Sequence, residues 1–408
     1  MQALRRLMRS RPRLGALLFG VTAALVLAFL AALLAEAYLR KRVAGPDVTL
    51  EVVIEDAPAG TQTDKSANHD PSKTTAPDEK PVAQPALPPP KVVAAQPVIL
   101  NEIPEGPEVP NMYRFYKGDA AFGYRQRPSA RVTVIKRQGE DVVFKAAYTT
   151  DPCARRVQPE PEGAPPERAV LFVGCSYTFG VGVNDEHTMP WQTALKLPSR
   201  RVYNYGVGGY GPQQAVELFK TDLRAEVPQK KAAVIFTFHH EHINRAVGTP
   251  RMLAYGQGFP WYEIDAESGR PVRKGAFRQR KSPPQPTGSK LLDAMKDFHG
   301  EMLTPDDARM AALLLDEARI QFEKQFESEG FYLLVYPGRQ DKLTDVVVNF
   351  VKERGMKILD YRALLGQHGL TTDTIDFDRW FIPHDGHPKA ELHAKIAQKI
   401  VEDLNREK

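Results

Sequence analysis

The apolar run at residues 170–173, Val-Leu-Phe-Val, passes without a linker into Gly174-Cys-Ser-Tyr-Thr-Phe-Gly180. No other junction in the chain constrains its fold as much. Four consecutive apolar residues bounded by a glycine read as a strand buried on both faces, as in parallel sheets. Gly174 permits the sharp bend into a following helix. Further strand-like runs lie at residues 233–238, 331–336 and 356–360. Between the first two of these, Thr304-Pro-Asp-Asp307 supplies a cap, an N1 proline and acids in the first turn of a helix. Strands alternating with helices predict a doubly wound, flavodoxin-like parallel α/β sheet. Residues 131–136 and 142–148 alternate around Gly139 and predict a hairpin ahead of that sheet.

Ser176 sits where such sheets bind ligands, at the carboxyl end of a strand and near the free N–H groups of the next helix. It is either a nucleophile or simply a helix cap. Three later blocks bear on the choice. They are Asn204-Tyr-Gly-Val-Gly-Gly-Tyr-Gly211, then His239-His-Glu-His-Ile-Asn-Arg245 after the 233–238 strand, and Ile382-Pro-His-Asp-Gly-His-Pro388 near the C-terminus. The order G-x-S, N-x-G-x-x-G, a block after the third strand, and a terminal Asp–His pair resembles the SGNH (GDSL-type) hydrolase family over roughly residues 110–405. The lipase elbow G-x-S-x-G does not fit, because the second glycine, Gly180, stands four residues after the serine.

The resemblance implies that Ser176 is the nucleophile, His387 its general base and acid, and Asp385 the group that orients His387. It implies an oxyanion hole built from the N–H groups of Ser176 and Gly209. The family's G-x-N-D block is replaced here by Glu241-His-Ile-Asn244. Aligned on the strand end, His242 takes the asparagine's place as third oxyanion donor, with Asn244 as the alternative. The family's usual D-x-x-H is D-x-H in this chain, a spacing shared with some polysaccharide O-acetyltransferase relatives. Position 384 is itself a histidine.

Other motifs compete. Gly206-x-Gly208-x-x-Gly211 matches a dinucleotide fingerprint formally, but Pro212 follows at once and no acid ends the next strand. His240-Glu-His-Ile-Asn244 has an asparagine where H-E-x-x-H needs its second ligand. His239, His240, His384, His387 and His393 are read as ordinary residues more readily than as a metal cluster, so neither metal nor cofactor is expected. No Walker motif occurs.

The N-terminus is expected to set the compartment. Residues 14–34 are apolar or small and uncharged, long enough at about 1.5 Å per residue to cross a bilayer. Residues 1–13 carry five arginines and form an expected cytoplasmic segment; residues 14–39 form the anchor. The expected topology is single-pass in a bacterial inner membrane, N-terminus inside and catalytic body periplasmic. The net charge of +5 includes +7 from residues 1–42 (eight basic, one acidic), which leaves 5 − 7 = −2 for the rest. Nucleic acid is therefore not an expected partner. Residues 40–110 hold twelve prolines between Pro58 and Pro110 and read as a disordered tether, with a lone strand possible at 48–54.

The folded body is expected as a hairpin extension at 111–160 and an SGNH-type α/β domain at 161–408, with residues 246–300 inserted as a hairpin lid. Trp261, Tyr262 and Arg245 are candidate substrate contacts. The basic side chains of the lid read more readily as a solvated face than as a glycan site. Outside the cytoplasm, Cys153 and Cys175 permit a disulfide; Cys175 is expected to point into the sheet. These readings together predict a membrane-anchored serine esterase that removes acyl groups, O-acetyl above all, from a cell-envelope polysaccharide. Acetyl transfer to that polysaccharide, supplied by a membrane acyltransferase partner, is the alternative within chemistry. A non-catalytic glycan-binding or assembly module is the alternative outside it.

Overall fold

The computed structural model describes residues 48–54, 115–280, 303–338, 341–366 and 377–406. The chain begins there with β1 (Val48–Ile54), followed by the short hairpin β2 (Tyr116–Asp119) and β3 (Gly123–Gln126). Strands β4 (Arg131–Gln138) and β5 (Asp141–Thr149) form the predicted hairpin. The strand at 48–54 does not stand alone. It adds antiparallel to the free edge of β4, from Val48 opposite Gln138 to Ile54 opposite Val132. The pairing gives its backbone N–H and C=O groups the partners that an isolated strand lacks.

The main sheet starts with β6 (Arg168–Gly174), which runs into α1 (Ser176–Phe179); α2 (Met189–Lys196) and β7 (Arg200–Gly206) follow. Then come α3 (Pro212–Lys220), β8 (Lys231–Phe238), α4 (Glu241–Val247) and α5 (Pro250–Gly256). The inserted hairpin is β9 (Pro260–Ile264) with β10 (Pro271–Ala276). The remainder is α6 (Pro305–Glu323), β11 (Glu327–Val335), α7 (Lys342–Glu353), β12 (Lys357–Asp360), α8 (Phe377–Trp380) and α9 (Ala390–Arg406). Thr304 caps α6 by accepting a hydrogen bond from the Asp307 N–H, as its sequence predicted.

The five long-range strands pair in the order β12-β11-β8-β6-β7, all parallel. Counted along the sheet this is 2-1-3-4-5, the flavodoxin-like order, with its switch point between β6 and β8. Successive side chains of each strand feed opposite faces. Leu171, Val173, Val234, Phe236, Leu333 and Val335 join α3, α6 and α7 in one core. Val170, Phe172, Ala233, Ile235 and Leu334 join α2 and α9 in the other. Burial on both faces explains why these strands are apolar throughout rather than alternating. Each fully buried large side chain contributes about 1.5–3 kcal/mol.

Among the described residues no helix is long and apolar enough to cross a membrane. The predicted anchor at 14–39 lies outside those residues, as does most of the expected tether.

Candidate active site

Ser176 opens α1 directly after β6, at the switch point of the sheet. Gly174 makes the turn possible. Its φ is +151°, and a Cβ there would lie 2.4 Å from Thr178 Oγ1. Cys175 has extended backbone angles and precedes the helix, so the chain changes direction within two residues. Ser176 is 8 % exposed. Among the described residues nothing hydrogen-bonds its hydroxyl, which leaves that oxygen free for a reacting partner.

Asp385 and His387 stand on the loop between α8 and α9. Their i, i+2 spacing brings the side chains together because His384 and Gly386 both adopt left-handed backbone angles, at φ +59° and +84°. The loop is closed by the Ile382 N–H to the His387 carbonyl, and by the Asp385 and Gly386 N–H groups to the Ile382 carbonyl. Asp385 Oδ1 then lies 2.5 Å from His387 Nδ1 and accepts from the His387 backbone N–H at 3.1 Å. With Nδ1–H donating to the carboxylate, Nε2 is left as the basic nitrogen. Tyr177, the neighbour of Ser176, holds this loop against α1. Its hydroxyl donates to the Gly386 carbonyl at 3.0 Å, and its ring meets His387 edge-on at 5.6 Å between centroids.

One member of the site was invisible in the sequence. Lys136 reaches over from β4 and places Nζ 2.6 Å from Asp385 Oδ2. The carboxylate thus has one oxygen on His387 and the other on Lys136. Burial opposes its ionisation, but the donors on His387 and Lys136 outweigh that and hold the carboxyl well below the usual carboxylate range. The N-terminal hairpin is therefore part of the site. Nothing local to Lys136 signals this, since the contact joins residues 249 apart in the chain.

Gly209 lies on the loop between β7 and α3 with φ +80°, and a Cβ there would lie 2.5 Å from Tyr124 Oη. Tyr124 donates to the Gly208 carbonyl at 2.7 Å. Because a trans peptide points its N–H opposite to its C=O, this bond turns the Gly209 N–H away from Tyr124. That N–H has no hydrogen-bond partner among the described residues. Asn204 ties the same loop to α1, donating to the Thr178 carbonyl at 3.1 Å and accepting from the Gly206 N–H at 2.9 Å. Arg245, a candidate substrate contact, is buried and donates to the Tyr210 carbonyl at 2.9 Å and to Tyr255 Oη at 3.2 Å. Its place is behind the Gly209 loop.

His242 is located differently from the expectation. The ring is fully buried, packed against Phe236 and Phe238, with Nδ1 3.1 Å from both the N–H and the carbonyl of His239. Burial pulls its pKa down to about 4, so it is neutral at pH 7. It faces Cys175 and His239. The strand ends at Phe238, where the sequence placed it, and α4 begins at Glu241; from the first turn of that helix the His242 ring packs back against Phe236 and Phe238. Asn244 is also buried, with Nδ2 3.4 Å from Glu241 Oε2. Cys175 is fully buried, as expected, and both thiols are free.

The hairpin at β9–β10 has the predicted form, but its side chains serve the body. Tyr262 is buried and donates to Glu217, while Lys220 donates to Tyr262 Oη at 2.9 Å. Arg273 pairs with Glu217 at 2.8 Å and Arg270 with Glu317 at 2.5 Å. Trp261 is half-buried against the same core. Of the five histidines weighed as a metal cluster, His393 is buried within α9 and accepts from the Met189 N–H.

No family model matches the chain, and no curated protein does. Solved structures are similar to it in part. A catalytic mutant of an acetylxylan esterase from Geobacillus stearothermophilus shares 15 % identity at a TM-score of 0.35, covering 59 % of this chain and 95 % of its own. A putative lipolytic protein of the G-D-S-L family from Desulfitobacterium hafniense DCB-2 shares 16 % at 0.32, covering 58 % and 98 %. A member of the same lipolytic family from Veillonella parvula DSM 2008 shares 12 % at 0.34, covering 59 % and 99 %.

Proposed function

We propose that this chain is a serine esterase, with Ser176 as nucleophile, His387 as base and acid, and Asp385 as the orienting carboxylate. One observation carries the reading: the loop of an Asp385–His387 pair, hydrogen-bonded at 2.5 Å, is held by Tyr177, the residue next to a free serine hydroxyl. That serine stands at the switch point of a parallel sheet, where open α/β folds bind ligands.

In the proposed reaction Ser176 Oγ attacks the acyl carbonyl and passes its proton to His387 Nε2. The Gly209 N–H, held outward by the Tyr124 bond to Gly208, and the Ser176 N–H receive the negative charge on the carbonyl oxygen. Each such donor is worth about 3–4 kcal/mol in the transition state. His387 then gives the proton to the departing alcohol oxygen, leaving an acyl-serine. Water, deprotonated by the same nitrogen, releases the acid. The Ser176–His387 hydrogen bond forms on substrate binding, since catalytic contacts are commonly long in free enzymes. The substrate class is an acyl ester, O-acetyl above all, on a cell-envelope polysaccharide. The chain works from the periplasmic side of the inner membrane, anchored through residues 14–39.

The test is mass spectrometry of the full-length chain in detergent after exposure to p-nitrophenyl acetate. An acetyl adduct on the Ser176 peptide, missing from Ser176→Ala, is the expected result. Equal turnover by the two proteins would remove Ser176 from the reaction.

A further inference from the structure

Beneath Ser176 lies a group that the proposed esterase chemistry does not use. Cys175, His239 and His242 each turn one ligand atom inward, and these atoms all lie within 4.8 Å of one another. Cys175 Sγ is 3.2 Å from His239 Nε2. The His242 ring hydrogen-bonds through Nδ1 alone; its Nε2 is buried with no hydrogen-bond partner. A solvent-excluded imidazole nitrogen without a partner is costly, by about 1–3 kcal/mol, and a cation would remove that cost.

We propose that Cys175 Sγ, His239 Nε2 and His242 Nε2 bind one thiophilic divalent cation of the Zn2+ type. For bonds of about 2.3 Å to sulfur and about 2.05 Å to nitrogen, a tetrahedral ion needs S···N separations of about 3.5–3.6 Å. The observed 3.2 Å is within a few tenths of that distance. Nδ1 of His242 lies at equal distance from the N–H and the carbonyl of His239; ligation through Nε2 takes the tautomer that carries its proton on Nδ1 and donates it to that carbonyl, as metal-bound histidines do. Here Nδ1 is 3.1 Å from the His239 carbonyl. On binding, the Cys175 thiol releases its proton to water and the sulfur ligates as thiolate. The half-buried edge of His239 gives the entry path and leaves the fourth position for water. The guanidinium of Arg245 repels the ion and limits its affinity.

The site is tested with the full-length chain in detergent, stripped by chelator and titrated with Co2+. One equivalent is expected to give the intense visible bands of a tetrahedral site and a thiolate-to-cobalt charge-transfer band, both lost on adding Zn2+. Cys175→Ser should abolish the charge-transfer band, and His242→Gln should weaken binding at least tenfold. His187→Asn, on the surface, should change neither. Should Cys175→Ser not fold, His239→Asn at the half-buried member is read instead, with the same tenfold loss expected. Cobalt bound without a charge-transfer band, or bound equally by these variants, would overturn the site as adventitious surface binding. Acetylation of Ser176 is read separately, so failure here leaves the esterase reading untouched.

Discussion

Replacing Lys136 by methionine keeps the length and apolar stem of the side chain but removes the charge on Asp385. The pair is 2.6 Å apart, with side-chain exposures of 16 % and 5 %. Coulomb's law gives about 6 kcal/mol for that separation at an effective dielectric constant of about 20. Desolvation of both groups offsets much of this, and deleting one partner of a buried pair typically costs about 3–5 kcal/mol. Asp385 keeps both donors of His387, so the lower end is expected, about 3 kcal/mol at pH 7. The sign of the pH dependence follows from the depressed carboxyl. Its stabilisation is full above the unfolded value of about 3.9 and fades as pH falls through the lower folded value. Without Lys136 the folded value rises, so the gap between wild type and Lys136→Met should narrow below about pH 4. Urea unfolding at pH 7 and at pH 3 measures both quantities. Because Lys136 touches Asp385 and not the substrate site, kcat for p-nitrophenyl acetate should drop about tenfold with KM nearly constant, the cost of a loosened base. Equal urea midpoints at pH 7 together with unchanged kcat would refute the reasoning and leave Lys136 a surface charge.

Arg156 is fully buried and donates to the carbonyls of Phe179, Gly180, Val183 and Ala147 and to Asp185. Arg156→Met should cost at least about 4 kcal/mol, since five acceptors lose a charged donor; a urea midpoint within error of wild type would contradict this. Tyr177→Phe removes only the bond to the Gly386 carbonyl, so stability should fall by about 1 kcal/mol. Its kcat should fall several-fold, measured on the same ester. Gly209→Ala must seat a Cβ 2.5 Å from Tyr124 Oη at φ +80°; kcat should fall at least a hundredfold while Ser176 remains, and Tyr124→Phe should recover part of the loss.

The sheet was legible because its strands are buried on two faces and therefore stand out as apolar runs at 170–173, 233–238 and 331–336. The switch-point serine was legible for the same reason, as the first polar residue after such a run and a glycine. Contacts between distant segments were not. Lys136 looks like any exposed basic residue of a hairpin, and only the three-dimensional return of residues 382–388 gives it a partner. Tyr262 and the basic residues around it read as a solvated or sugar-binding face, yet Glu217 and Glu317, on helices far off in sequence, pair with Arg273 and Arg270. Linear alignment to the strand end, which falls at Phe238 as read, did not show that the His242 ring is fully buried. The direction of a side chain in the first turn of a short helix depends on the angle at which that helix leaves the strand, which periodicity does not encode.

The pairing of β1 with β4 changes what kind of connection leads into the folded body. Residues 55–114, which contain the prolines, leave β1 and return at Phe115, a residue of the same core. The β1 ladder therefore joins the chain to the body ahead of that stretch as well as after it. If residues 14–39 span a bilayer, only residues 40–47 separate it from β1, a reach of at most about 30 Å even when fully extended. The body would then scan a layer of the envelope close to its own membrane. A protease cutting within 55–114 would not by itself free it, because the ladder from Val48 to Ile54 would still hold the two pieces together.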